Sequence, residues 1–245
     1  MTPEAAAARL LDARRTGRPF AAAPDDGPEN EAAALAAQAL VAAEVGAVGA
    51  FKTGRKAPGA APIMAPIFAR DVHATGAALA GGRLRGVELE VAFRLERPAP
   101  DARDPDFEAK LRAAVVALPA IEIIESRLDD MEAAGAHWKL ADNQMNGALV
   151  LGAPLADWSG LALARPALGL SIAGDVVQAG PTDAPGGDLF ATFAAFVRRV
   201  GGHCGGLRPG VAVITGSLTG MRFTVAGAAV EGRIDGLGAV SCRFA

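Results

Sequence analysis

The spacing of apolar and polar positions changes character once along the chain, from helical repeats at the start to short strand-like runs beyond Val48. Residues 3–15 and 30–45 are alanine-rich with apolar positions at helical spacing. Thr2, Pro3 and Glu4 supply a cap, a proline tolerated in the first turn and an early acid, and Gly17 stops that helix. Leu35, Gln38, Leu40 and Val41 lie on the second, which ends at Gly46. Residues 19–28 between them read as a loop. Residues 56–66, rich in Ala, Pro and Gly, show neither period and read as a functional loop. Residues 106–118 put Phe107, Leu111, Val115 and Leu118 on one side of a helix ended by Pro119. A further helix is predicted over 188–200, where Leu189, Phe190, Phe193, Phe196 and Val197 form an apolar stripe that reads as core packing. The tail returns to strands at 211–214, 222–225, 229–234 and 239–244, with Asp235-Gly236 turning between the last two.

One strand-like run carries unusual chemistry. In Val87-Glu88-Leu89-Glu90-Val91-Ala92-Phe93 the period of a strand puts both carboxylates on one face, and Glu122 follows in a second run, Ala120-Ile121-Glu122-Ile123-Ile124-Glu125. Two readings fit the spacing. The strand has one solvated face and the glutamates need no partner, or the two runs are neighbours and three hard oxygen donors converge on a divalent cation such as Mg2+ or Mn2+. Glu122 favours the second, because isoleucines flank it on both sides. Glu125 fits as a further ligand, as an acceptor behind one, or as the ion-pair partner of Arg127.

Composition narrows the partners. A net charge of −3, with Lys and Arg scattered along the chain, gives no field for a polyanion, so nucleic acid is not expected. Charge or proline interrupts every apolar stretch before membrane-spanning length, and the N-terminus lacks the layout of a signal peptide. Cys204 and Cys242 have neither metal-site nor disulfide spacing and read as reduced cysteines of a cytoplasmic protein. The length suits one catalytic domain over 1–245, with residues 1–46 a helical extension and 47–245 the core.

Other candidates are single residues with competing readings. Lys52, at a strand end beside Thr53-Gly54, is a surface amine or an acid/base beside a bound cation. Asp142 and Asn143 make a turn, or orient a ligand and touch substrate. Thr215-Gly216-Ser217 offers hydroxyls and N–H groups to an anion, or is simply a turn. His73, His137 and His203 lack metal-ligand spacing, and the serines lack a nucleophile-elbow context. No glycine-rich phosphate loop is present, so no nucleotide cofactor is expected.

The ordered set Phe51-Lys52-Thr53-Gly54, 86–93, 118–127, Ala141-Asp142-Asn143, 210–216 and Gly236-Leu237-Gly238 closely resembles the 2-keto-4-pentenoate hydratase and 4-oxalocrotonate decarboxylase branch of the fumarylacetoacetate hydrolase superfamily. The resemblance spans nearly the whole chain. It implies an α+β fold, a mixed β-roll with N-terminal helices, and Mg2+ or Mn2+ held by Glu88, Glu90 and Glu122. Lys52 matches the family's acid/base; with Asp142 it forms the expected catalytic pair. Arg55, Asn143, Thr215 and Ser217 are the expected substrate contacts. The implied substrate is a small anionic 2-oxo acid or its 2-hydroxy-2,4-dienoate tautomer, from aromatic-ring breakdown, hydrated by a homo-oligomeric lyase. A 4-oxalocrotonate-type decarboxylase and a non-catalytic partner subunit are the alternatives. A hydrolase is less well matched, since His73-Ala74-Thr75-Gly76 does not supply the His-x-x-Glu pair of those relatives.

The chain departs from the branch around the substrate. Thr53-Gly54-Arg55-Lys56-Ala57 stands where Ile-Gly-Leu-Thr-Ser is usual after the lysine. Pro185-Gly186-Gly187 replaces Gly-His-Pro, and Gln144-Met145 replaces Ala-Ser. Arg55 and Lys56 are accordingly expected to favour a second carboxylate on the substrate.

Overall fold

Strand register sorts the alternating residues onto two faces of one curled sheet, and that sorting builds the site. A computed structural model describes Met1 to Ala245. Helix α1, Pro3–Thr16, is capped by the Thr2 hydroxyl accepting the Ala5 N–H, and Gly17 closes it in the left-handed conformation at φ 67°. Helix α2, Glu31–Val45, is capped by the Asn30 side chain, which accepts the Ala33 N–H at 2.9 Å. Their apolar sides, including Leu10, Ala34, Ala37 and Val41, join the main core.

The remaining elements are β1 Val48–Gly54, β2 Ile63–Phe68, β3 Val72–Ala74, β4 Ala77–Leu79, β5 Gly86–Leu95, α3 Phe107–Arg112, β6 Val115–Ile124 and α4 Ala136–Ala141. After them come β7 Asn146–Leu151, β8 Ala167–Ile172, β9 Asp175–Pro181, α5 Leu189–Val200, β10 Ala212–Ile214, β11 Arg222–Phe223, β12 Ala229–Ile234 and β13 Gly238–Phe244. The larger sheet runs β2-β1-β10-β5-β6-β7-β3, with β11 added to β5, and the smaller runs β4-β13-β12-β8-β9. No helix is long and apolar enough to cross a membrane.

In the larger sheet Lys52 pairs with Ile214, Ile214 with Ala92, and Ala92 with Leu118; two residues further along Glu90 faces Ala120, and four residues along Glu88 faces Glu122. Paired residues share a face, so Lys52 and the three glutamates project to the same side. The apolar floor of that side is a separate cluster of Ala50, Ile67, Ala92, Leu118, Ala120, Leu149, Ala212 and Ile214. Half of it is alanine, which leaves room for the sheet to curl. The opposite face sends Phe51 and Phe93 into the main core against α5, with ring centroids 5.5 Å apart for Phe51–Phe196 and 5.2 Å for Phe93–Phe193. The Phe stripe read as core packing is core packing.

Three expected elements are corrected. The helix predicted over 106–118 is only Phe107–Arg112; residues from Val115 onward are strand, because the ten-residue register with β5 outweighs local periodicity. Pro119 therefore lies within β6, opposite Val91. Its carbonyl accepts the Gly152 N–H at 2.8 Å, an approach that only glycine allows, since a Cβ there would sit 2.6 Å from the proline ring. The loop expected over 56–66 ends early: its last four residues belong to β2, Ile63–Phe68, whose place at the sheet edge accommodates Pro66. The strand expected over 222–225 is only two residues, β11.

Candidate active site

Glu88, Glu90 and Glu122 offer carboxylate oxygens that all lie within 4.8 Å of one another. Glu122 is completely buried and Glu90 nearly so. Lys52 Nζ donates to Glu122 Oε1 at 2.7 Å and to the Gln144 carbonyl at 3.0 Å. The Asn146 side chain donates to the same Glu122 oxygen at 2.8 Å. Glu122 Oε2 is buried with no hydrogen-bond partner at all. Glu90 Oε2 accepts the Gly216 N–H at 2.6 Å. Gly216 adopts φ 115°, and a Cβ there would stand 2.7 Å from Pro185, so the N–H is aimed by a backbone that a side chain would not permit.

The electrostatics follow from crowding. Burial, and then the neighbouring charges of Glu122 and Glu88, push Glu90 well above its ordinary 4.5; burial and Glu122 raise Glu88 as well. For Lys52 burial acts downward, but attraction to Glu122, Glu88 and Glu90 outweighs it and the net shift is upward. Three ionised carboxylates against one ammonium leave two negative charges uncompensated, the charge of one divalent cation. The donor set is all hard oxygen, and one buried carboxylate oxygen lacks a partner. These residues fit an ion of the Mg2+ or Mn2+ type.

The other expected residues divide. Asp142 is not among the three glutamates; its carboxylate accepts the Ser126 hydroxyl at 2.9 Å, the Arg127 N–H at 3.0 Å and Arg127 Nε, in a buried ion pair. Glu125 does not pair with Arg127; it accepts the N–H groups of Leu84 at 3.2 Å and Ser126 at 2.9 Å. Thr215 spends its N–H and hydroxyl on the Val91 carbonyl and anchors the start of the Gly216 turn. Ser217 Oγ is buried beside Glu88 without a well-formed hydrogen bond, and Asn143 Oδ1 is buried with none. Arg55 donates from Nε to Thr192 at 3.2 Å, while Lys56 is exposed. His137 and His203 bond Pro28 and Gln38, away from the glutamates.

Two participants carried no sequence signal. Asn146 is an ordinary strand-start residue until β7 places it under Glu122. The Gln144 carbonyl reaches Lys52 because Asn143, Gln144 and Met145 take three successive positive φ values of 52°, 51° and 61°. Each such L-residue costs about 1–2 kcal/mol. The Asp142–Arg127 pair holds the turn, with Arg127 also donating to the carbonyls of Asp142 and Asn146, both at 2.9 Å. Gln144→Gly relieves one of these positions and is expected to raise stability by about 0.5–1 kcal/mol, read from the urea midpoint. A lower midpoint would mean that the glutamine side chain contributes more than its backbone costs.

Solved structures share this fold. The 4-oxalocrotonate decarboxylase of Pseudomonas putida G7, complexed with magnesium and adipate, superposes with a TM-score of 0.80 over 100% of this chain and 99% of its own, at 20% identity. Fumarylpyruvate hydrolase from Pseudomonas aeruginosa, in complex with Mn2+ and pyruvate, gives 0.58 over 80% of this chain and 88% of its own, at 20% identity. The fold is that of the fumarylacetoacetate hydrolase superfamily, a mixed β-roll with N-terminal helices.

Sequence narrows this further. No protein-family model matches the chain. 2-Keto-4-pentenoate hydratase 2 of Dechloromonas aromatica is 32% identical over 100% of this chain and 98% of its own length. The 2-keto-4-pentenoate hydratase of Paraburkholderia xenovorans is 30% identical over 64% of this chain and 58% of its own. The chain belongs to the 2-keto-4-pentenoate hydratase family.

Proposed function

We propose that the protein is a divalent-metal-dependent hydratase that adds water to a 2-hydroxy-2,4-dienoate. The observation that carries this reading is the buried Glu88–Glu90–Glu122 cluster facing the Lys52 ammonium, in a chain of this family. Glu88, Glu90 and Glu122 would hold Mg2+ or Mn2+. When bound, such an ion supplies Lewis-acid stabilisation for the negative charge that develops on a 2-oxo acid.

The chain's own groups do the rest. Lys52 holds a proton at Nζ: two of its hydrogens are committed to Glu122 and the Gln144 carbonyl, which leaves one for a substrate carbon or oxygen. Glu122 and the left-handed turn fix where that hydrogen points. The Gly216 N–H fixes one oxygen of Glu90. Asn143 Oδ1 and Ser217 Oγ are buried without partners and offer an acceptor and a hydroxyl to a polar substrate. Homo-oligomerisation belongs to this reading as an expectation to be measured by sedimentation.

The test follows the ultraviolet absorbance of a 2-hydroxy-2,4-dienoate and the mass of its product, with 4-oxalocrotonate in parallel. A metal-dependent product heavier by one water supports the hydratase. Loss of carbon dioxide would replace it with the decarboxylase, the activity named for a structural neighbour.

Stability should report the same cluster. Glu88 and Glu90 have folded-state pKa values raised above their ordinary 4.5, so their contribution is present below that pH and is lost as pH rises through the raised values. Metal-free protein is therefore expected to lose melting temperature from this source as pH is raised above 4.5, while Mn2+ stabilises it increasingly over the same interval. An Mn2+ increment that does not grow with pH would count against the carboxylates as its ligands.

A further inference from the structure

Behind the catalytic face lies a second group of charged side chains that the proposed reaction does not use. A cavity of about 310 Å³ is lined by Arg14, Arg70, Arg83, Arg127, Asp71 and Glu125, with the end of α1 at its rim. Most of these charges are accounted for. Arg127 is taken by Asp142, and Arg70 Nε stands 3.8 Å from Asp71. Glu125 is held by backbone N–H groups. Arg83 donates to the carbonyls of Leu128 at 2.8 Å and Asp129 at 3.4 Å, neutral acceptors that leave its charge uncompensated.

Arg14 has nothing. It forms neither a hydrogen bond nor a salt bridge, and its Nε is buried without a partner. The Phe68 ring lies 5.2 Å from its guanidinium carbon. Neighbouring Arg15, by contrast, is paired with Asp12 at 2.5 Å. Burial and then the charge of Arg127 lower the pKa of Arg14 to about 9, against the weaker opposing attraction of Asp142 and Asp71. Arg14 as a whole is only partly buried, but a guanidinium nitrogen shielded from solvent ordinarily has a carboxylate or phosphate against it, because its fork of donors is costly to desolvate unpaired. Two uncompensated guanidinium groups against one carboxylate leave the cavity one negative charge short.

We propose that this cavity is a binding site for a small oxyanion, a carboxylate or inorganic phosphate, with Arg14 as its principal donor. The site stands apart from the glutamate cluster but backs onto it: Arg127 Nη1 donates to the Asn146 carbonyl at 2.9 Å, and the Asn146 side chain donates to Glu122. An anion bound at Arg14 would thus sit two residues behind a candidate metal ligand.

The test is isothermal titration of the full chain with sodium phosphate and, separately, sodium acetate, against sodium chloride at matched ionic strength. Saturable binding of phosphate, of acetate or of both supports the site and identifies which chemistry it takes. Arg14→Met should weaken that binding by about tenfold or more, the loss expected for a charge-assisted contact, with Mn2+ binding unchanged. Arg14→Lys, which keeps the charge but not the fork, should fall between. Phosphorus NMR line broadening on the unaltered protein, reversed by acetate where both anions bind, reads the site without any variant. Binding of neither anion, or equal affinity in Arg14→Met, overturns the proposal.

Discussion

Glu90→Gln is expected to lower metal-dependent turnover by about a hundredfold or more, since even groups that only support a metal ligand are worth about 10–100-fold. The fold should survive. The amide oxygen of glutamine still accepts the Gly216 N–H, which stands 2.6 Å from Glu90 Oε2 in the native site. Glu90 is raised well above its ordinary range by burial and by Glu122 and Glu88, so its ionisation opposes folding. Without metal, the variant should therefore melt at or above the native temperature at neutral pH, while its Mn2+ affinity falls. Those two changes run in opposite directions, which separates a lost ligand from a damaged core. Full activity in the variant would remove Glu90 from the site.

Lys52→Met is expected to lower kcat by roughly 10²–10⁴-fold, the usual worth of a positioned acid or base, with little change in KM. Its effect on the ion should be the reverse of that of Glu90→Gln. Removing an ammonium 2.7 Å from Glu122 takes away a competing positive charge, so Mn2+ should bind as tightly or more tightly. Without metal the variant should be less stable by roughly 3–5 kcal/mol, because Glu122 is completely buried and loses its cation. Mn2+ should restore much of that loss. Titration calorimetry and stopped-flow absorbance on one preparation give both readings. Retention of native kcat would show that Lys52 neutralises the cluster without moving a proton.

Much of this site was legible in the sequence because a strand alternates sides. Glu88 and Glu90 had to share a face once residues 87–93 were read as a strand, and the isoleucines around Glu122 marked it as buried. The register that sets Glu88 opposite Glu122 was not legible, since pairing between β5 and β6 depends on tertiary context across the 33 residues, 89–121, that separate them. The same context converted Val115–Leu118 from an expected helix into strand. Asp142 stands out in the sequence as a polar residue after an apolar stretch, but Arg127, which takes its charge, is there only one of three alternatives for Glu125 and no partner for Asp142. Nothing local distinguishes those pairings. The left-handed turn at Asn143–Met145 was equally hidden, because no glycine marks it; it persists only because the Asp142–Arg127 pair and the β6–β7 contacts hold it.

The expectation drawn from the chain's departure at residues 53–57, that Arg55 and Lys56 favour a second substrate carboxylate, is kept as a proposal. Arg55 is tied to Thr192 by Nε, which leaves its terminal nitrogens for a ligand, whereas Lys56 is a solvent-exposed amine. The two side chains therefore differ in preorganisation.

The most direct measurement strips the purified protein with a chelator and returns Mg2+ or Mn2+ stepwise while the dienol absorbance of a 2-hydroxy-2,4-dienoate is followed. No turnover is expected in the stripped protein, and recovery should saturate at one ion per chain. Undiminished turnover after stripping, with no bound metal detectable by mass spectrometry, would contradict this expectation.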